Sequence, residues 1–224
     1  MIQRVFLTCF LSLVATVAHA ETLTVAAKHI SGFVDSPYRG KFIELLREVE
    51  KVSDYTFKIS VLPPARAIHI FEAGQADILL PHPVKESALA ESFYRKDSFV
   101  FYQCDHSPLR KYQDLKNKKL ALTRGFHYKS DELLHYAKEL TVVTNDEIAL
   151  RMVNQGRVDA TIGEFSSLDY LIREYKLKNI CVDQKTPVGS TGVYLLFSKK
   201  KPLSNDEAKI NTFLKEIMLR LGPG

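Results

Sequence analysis

Two stretches of the chain, one in each half, carry the same pattern: FEAGQADILL at 71–80 lies over VNQGRVDATI at 153–162, with Gly74 over Gly156 and Asp77 over Asp159. In the same register Val61 falls on Val143, Ala67 on Ala149 and Ile68 on Leu150. Helix, glycine, two residues, aspartate, strand is a common α/β connection. Its recurrence with the flanking strand and helix units in the same order restricts the chain to two similar α/β lobes.

Periodicity fills in the lobes. Thr22–Ala27 reads as a strand, and Lys41–Lys51 sets Phe42, Leu45, Leu46 and Val49 on one helical face. Thr56–Leu62 is a second strand, stopped by Pro63 and Pro64. Ala65–Ala73 is a helix ended by Gly74, and Ile78–Leu80 a short buried strand. In the second half Leu120–Thr123, Thr141–Thr144 and Ala160–Gly163 read as strands, Ser130–Leu140 and Ile148–Asn154 as helices, and Asn145 as a cap. Asp77 and Asp159 read as structural acceptors of backbone N–H bonds at their turns.

Two apolar segments, Ser98–Cys104 and Gly192–Ser198, lie near the lobe boundaries, where extended chain passing between lobes makes a hinge. Asn205–Leu221 is an amphipathic helix that completes the first lobe if the second segment returns the chain there. The expected division is a leader at 1–20, a first lobe of 21–102 plus 192–224, and a second of 103–191.

The leader follows from Arg4, the uncharged and mainly apolar run Val5–Ala18, and small residues at Ala18 and Ala20. This is the pattern of a secretory signal cleaved after Ala20, and the run falls short of the roughly 20 residues that span a bilayer. The mature chain is expected in the periplasm. Cys104 and Cys181 then remain as an even pair in a compartment that permits a disulfide, and a bridge between them is expected. The formal charge of +5, from 31 basic and 26 acidic residues, is a mild excess with its lysines in short dispersed clusters. With export, that argues against nucleic acid as a partner.

In order, VLPPARAIHIFEAGQADILLP, DLKNKKLALTRGF and IALRMVNQGRVDATIGEFSSLDYLI behind a signal peptide resemble family 3 extracellular solute-binding proteins, the amino-acid type of periplasmic binding protein. The resemblance covers the whole mature chain. It implies a type II periplasmic-binding-protein-like fold: two α/β lobes joined by two crossing strands, with one small polar solute in the cleft. It also implies a monomer that delivers its solute to an ABC permease, or docks on a membrane sensor, and needs no cofactor.

Ligands of open α/β sheets sit beyond the carboxyl ends of strands, where helix N-termini present free N–H groups. Here those loops are His29–Phe33, Pro63–Arg66 and Pro81–Lys85 in the first lobe, and Thr123–Tyr128, Thr144–Asp146 and Gly163–Ser167 in the second. The resemblance places Thr123, Gly125 and Phe126 at an anion-binding turn, with Arg124 able to take a carboxylate bidentately. It places Glu164 where relatives meet the ligand's ammonium group. The first lobe departs from the pattern: the stretch after its third strand lacks the usual arginine, and Lys85 is the basic residue nearby, without the guanidinium fork. Arg66 is the candidate to supply that fork. Phe33 and Phe126 are candidate stacking platforms, and His29 and His82 also fall on cleft loops.

No GxSxG, Walker A, GxGxxG, HExxH or Cys/His signature occurs, so neither common enzyme classes nor a metal site gains support. The enzymatic alternative is a cyclohexadienyl-dehydratase-like protein on the same fold, with Glu164 as acid and base.

Overall fold

The computed structural model describes residues 21–84, 92–128, 133, 135–200 and 206–221. The leader, Lys85 and residues 130–132 and 134 of the helix expected over 130–140 lie outside the described residues. In chain order the elements are β1 (Glu21–Lys28), α1 (Lys41–Glu50), β2 (Tyr55–Leu62), α2 (Pro64–Glu72), β3 (Ile78–Val84), β4 (Tyr94–Tyr102), β5 (Lys119–Thr123), β6 (Glu139–Val143), α3 (Asp146–Asn154), β7 (Ala160–Glu164), α4 (Phe165–Glu174), β8 (Cys181–Val182), β9 (Gly189–Phe197) and α5 (Asp206–Leu221).

The strands form one curled sheet in the order β2-β1-β3-β9-β4-β7-β5-β6, with β8 paired to β4. Its two ends are copies of each other. β1 lies parallel to both β2 and β3, and β5 lies parallel to both β6 and β7. The repeat seen in the sequence is therefore a repeat of topology. Gly74 and Gly156 both take positive φ, 77° and 68°. Asp77 Oδ2 accepts the backbone N–H of Thr24 at 2.8 Å, and Asp159 Oδ2 that of Lys119 at 2.7 Å. Each aspartate ties the start of its strand to the central strand of its own half.

β4 and β9 join the halves. Tyr94–Ser98 of β4 pair antiparallel with Gly189–Val193 of β9, while Ser98–Tyr102 continue along β7. β9 in turn leaves β4 and runs antiparallel to β3 as far as Phe197 against Ile78. Two strands thus cross side by side between the ends of the sheet. β4 begins at Tyr94, ahead of the expected Ser98, because Arg95, Lys96 and Asp97 interrupt the apolar pattern while their backbone still pairs.

β9 carries the chain back to the first half. Ile210, Leu214 and Met218 of α5 share one buried cluster with Phe42, Leu45, Leu46 and Val49 of α1. Asn211 fixes the docking by accepting the Leu195 N–H at 3.0 Å and donating to the Leu195 carbonyl at 3.2 Å. Separate clusters pack the second half around Leu120, Leu122, Ile162 and Leu168. A disulfide joins Cys104, just after β4, to Cys181 in β8.

Two expectations need correction. The helix expected through Leu140 ends earlier, because Glu139 and Leu140 already pair with Lys119 and Leu120 in β6. The helix α4 was not anticipated, since Ser166 and Ser167 are weak helix formers. Glu164 overrides them: its carboxylate accepts the Ser167 N–H at 2.7 Å and caps the first turn.

Candidate functional site

Carboxyl ends of strands from both halves converge on the gap between them. An open cleft of about 700 Å³ is walled on one side by His29–Ser31, Val61–Pro64 and neighbours, and on the other by Thr123, Phe126 and Thr144–Glu147. Adjoining it, and sharing Ile30 and Phe126 with it, lies a smaller, partly open cavity with about 40 Å³ of room for water-sized molecules. Ile30, Phe33, Phe42, Tyr94, Phe126 and Val193 make its walls apolar, and Lys28, Lys96, Glu164 and His127 bring polar groups into it. A narrower recess of about 10 Å³ continues past Lys96 and Glu164 to Asp146 and Ser167.

Each half and the crossing strands supply a charged group. Lys28 ends β1 and is 2% exposed, carried inward by the buried strand Val25–Ala27. Glu164 ends β7 and is 8% exposed. Lys96 projects from the crossing segment of β4, its ammonium 4.9 Å from the centre of the Phe126 ring.

Burial sets the electrostatics. Burial first, and the Lys96 charge second, lower the Lys28 ammonium to about 8. Burial also lowers Lys96, opposed by the carboxylates of Asp146 and Glu164. Asp146 is pushed up by burial, against the hydrogen bond it accepts from Thr123 Oγ1 at 2.5 Å and the charge of Lys96. His82 and His127, with ring centres 6.5 Å apart, are both held below the ordinary imidazole range, first by burial and next by Lys28. Both are therefore neutral at pH 7. Burial, helped by Glu164 and Asp97, keeps the Tyr94 hydroxyl protonated.

Of the residues singled out in the sequence, Phe33, Phe126 and Glu164 meet in the smaller cavity, while His29, Thr123 and Phe126 line the larger cleft. Phe33 also belongs to the core, 5.0 Å from Phe42 and 5.3 Å from Tyr94 between ring centres. His82 reaches the site through His127. Gly125 lies where the halves touch: at φ 86°, a Cβ there would stand 2.6 Å from the Ala65 nitrogen. Arg66 and Arg124 are exposed and outside both linings, and Lys85 lies outside the described residues.

Sequence reasoning passed over Lys28, Lys96 and Tyr94, and reached Asp146 only as the end of the Thr144–Asp146 loop. A lysine closing an apolar strand was the available signal for Lys28. Among the described residues no group of three or more His, Cys, Asp or Glu side chains is placed to hold a metal ion, and no helix is long and apolar enough to cross a membrane.

The arrangement of two α/β halves, two crossing strands and a cleft between them is the type II periplasmic-binding-protein-like fold. The chain is similar to a histidine kinase sensor domain with similarity to periplasmic binding proteins, at TM-score 0.74 and 20% identity over 91% of this chain and 92% of that one. It is similar to the GluR0 ligand-binding core in complex with L-glutamate, at TM-score 0.73 and 19% identity over 90% and 94% of the two chains. It is also similar to the substrate-binding protein of an amino acid ABC transporter, at TM-score 0.63 and 17% identity over 89% and 92%. No protein-family model matches the sequence, and no curated protein matches it significantly.

Proposed function

We propose that this chain is an extracytoplasmic solute-binding protein that holds a small polar or charged, amino-acid-like solute between two lobes. The observation that carries the reading is the small cavity between the halves to which Lys28 from the first half, Glu164 from the second and Lys96 from the crossing strands all contribute. Charged side chains withdrawn from water at the meeting of two halves are costly unless something polar binds there. Lobes of 21–102 plus 192–224 and of 103–191 fit the pairing of β4 and β9. Closure of these lobes favours the state that encloses the solute, in proportion to its extra affinity for that state.

Export through a signal cleaved after Ala20 fits the disulfide between Cys104 and Cys181. Delivery to an ABC permease is the primary partner reading, supported by the likeness to a transporter's binding protein. Docking on a membrane sensor is the second, supported by the likeness to a kinase sensor domain.

The test is a thermal-shift screen of amino acids, amines, peptides and organic acids, followed by calorimetry. A solute at 100 times its Kd adds about 2.7 kcal/mol of stability. Stabilisation by at least one charged small solute is expected, and none by any of them overturns the reading. Binding without turnover is expected as well. Prephenate or arogenate conversion that disappears in Glu164→Gln would instead establish the dehydratase alternative.

A further inference from the structure

We propose that Lys28 is the anion-binding residue of the small cavity between the halves, and that the solute is a small organic carboxylate with an apolar body whose carboxylate sits against the Lys28 and Lys96 ammonium groups. This rests on the solute-binding reading and names the class of solute.

The first observation is an unbalanced charge. Of the side chains lining the cavity, Lys28 and Lys96 are cationic and Glu164 is anionic, while His127 is neutral at pH 7. Glu164 and Asp146 both act on Lys96. For Lys28 the neighbouring charge that counts is Lys96, which repels it. Among the described residues, none hydrogen-bonds to the Lys28 ammonium or forms an ion pair with it. A buried cation without a partner is among the most unfavourable groups a fold can hold, and a bound anion relieves it.

A second unmet group faces the connected recess. Among the described residues the buried Ser167 hydroxyl has no hydrogen-bond partner, and it lies in the recess that also holds Lys96 and Glu164. A ligand oxygen reaching past Lys96 satisfies it.

Size and polarity set the rest of the ligand. About 40 Å³ admits a planar carboxylate and little more, and the walls of Ile30, Phe33, Phe42 and Phe126 offer an apolar surface. Ile30 and Phe126 continue into the cleft of about 700 Å³, so the body extends outward along them. Lysine in place of arginine gives a point charge without the bidentate fork, which accepts carboxylates of differing geometry.

The experiment measures calorimetric binding of 3-phenylpropionate, L-phenylalanine, L-glutamate and succinate, each beside its carboxamide, with phenethylamine and putrescine as cations. Wild type is compared with Lys28→Met and, should that variant misfold, Lys28→Gln. At least one carboxylate is expected to bind, its carboxamide and Lys28→Met each weakening binding at least about tenfold. Lys28→Met is expected to melt no lower than wild type without ligand. A carboxylate that binds Lys28→Met as well as wild type, or a site that takes only the amides or amines, overturns the assignment and leaves the solute-binding reading standing. A wild-type protein that binds none of the panel, nor any solute in the wider screen, overturns both.

Discussion

Asp77 and Asp159 occupy equivalent places in the two halves of the sheet, each accepting the backbone N–H of the strand beside its own, from Thr24 and from Lys119. Each also donates its own backbone N–H to the same neighbour, at 2.9 and 2.8 Å. Because each bond is internal to one half, Asp77→Ala and Asp159→Ala are expected to destabilise by about 1–3 kcal/mol apiece. The double variant is expected to show the sum within about 0.5 kcal/mol. Urea unfolding checks both statements, and a coupling well above that figure would mean the halves do not stabilise separately.

Reduction of the Cys104–Cys181 bridge releases a loop with a sequence separation of 77. Loss of about 2–4 kcal/mol is expected on that change, in Cys104→Ser with Cys181→Ser as much as under reductant. Thermal melts with and without dithiothreitol measure it. The double variant should show no further response to reductant.

Lys28 gives stability an unusual dependence on alkaline pH. Its ammonium is lowered from 10.5 to about 8 in the folded protein, so between those values the unfolded chain binds more protons than the native one. Stability contributed by this group therefore rises with pH from about 8 to 10.5, and below 8 its penalty is constant. The full span is about 3 kcal/mol. Urea midpoints of wild type and Lys28→Met at pH 7.5 and pH 10 isolate it: the difference favouring Lys28→Met should shrink at the higher pH. A constant difference would place the lysine in water.

Gly125→Ala is expected to weaken solute binding more than it weakens the fold. The residue has φ 86°, and its missing side chain leaves room for Pro64 and Ala65 of the opposite half at 2.6–3.0 Å. The positive φ costs an alanine about 1–2 kcal/mol in any state. The clash with Pro64 and Ala65 arises only where the halves touch, so it acts against closure. Small-angle scattering of the liganded variant should show a larger radius of gyration than liganded wild type, alongside a raised Kd.

Much of the architecture was legible because it is written in local periods. The Gly74 and Gly156 repeat, most of the strand and helix order and the cap at Asn145 follow from spacing and residue type, and Asn145 indeed accepts the Ile148 N–H at 2.9 Å; the Cys104–Cys181 bridge follows instead from the even pair left once the leader is set aside. The site was legible only in part. Loops beyond strand ends located Phe126, Thr123 and Glu164, whereas a search for arginines led to Arg66 and Arg124, which the phase of α2 and of the 123–126 turn directs to solvent. Lys28 and Lys96 were hidden by a prior. Lysine is almost always exposed, and their burial depends on strands brought together from distant parts of the chain.

Lys96 lies in the stretch of β4 that pairs with β9 between the two halves, so in the closure proposed above it would sit near the axis of turning. A point on an axis travels little while points at the rim sweep through an arc. In that closure Lys96 would present the same charge to an arriving anion whether the jaws are apart or shut, whereas Lys28 and Glu164 would approach it from either side. First contact and retention fall to different residues, so substitutions at position 96 should act on the association rate and those at the two flanking positions on dwell time.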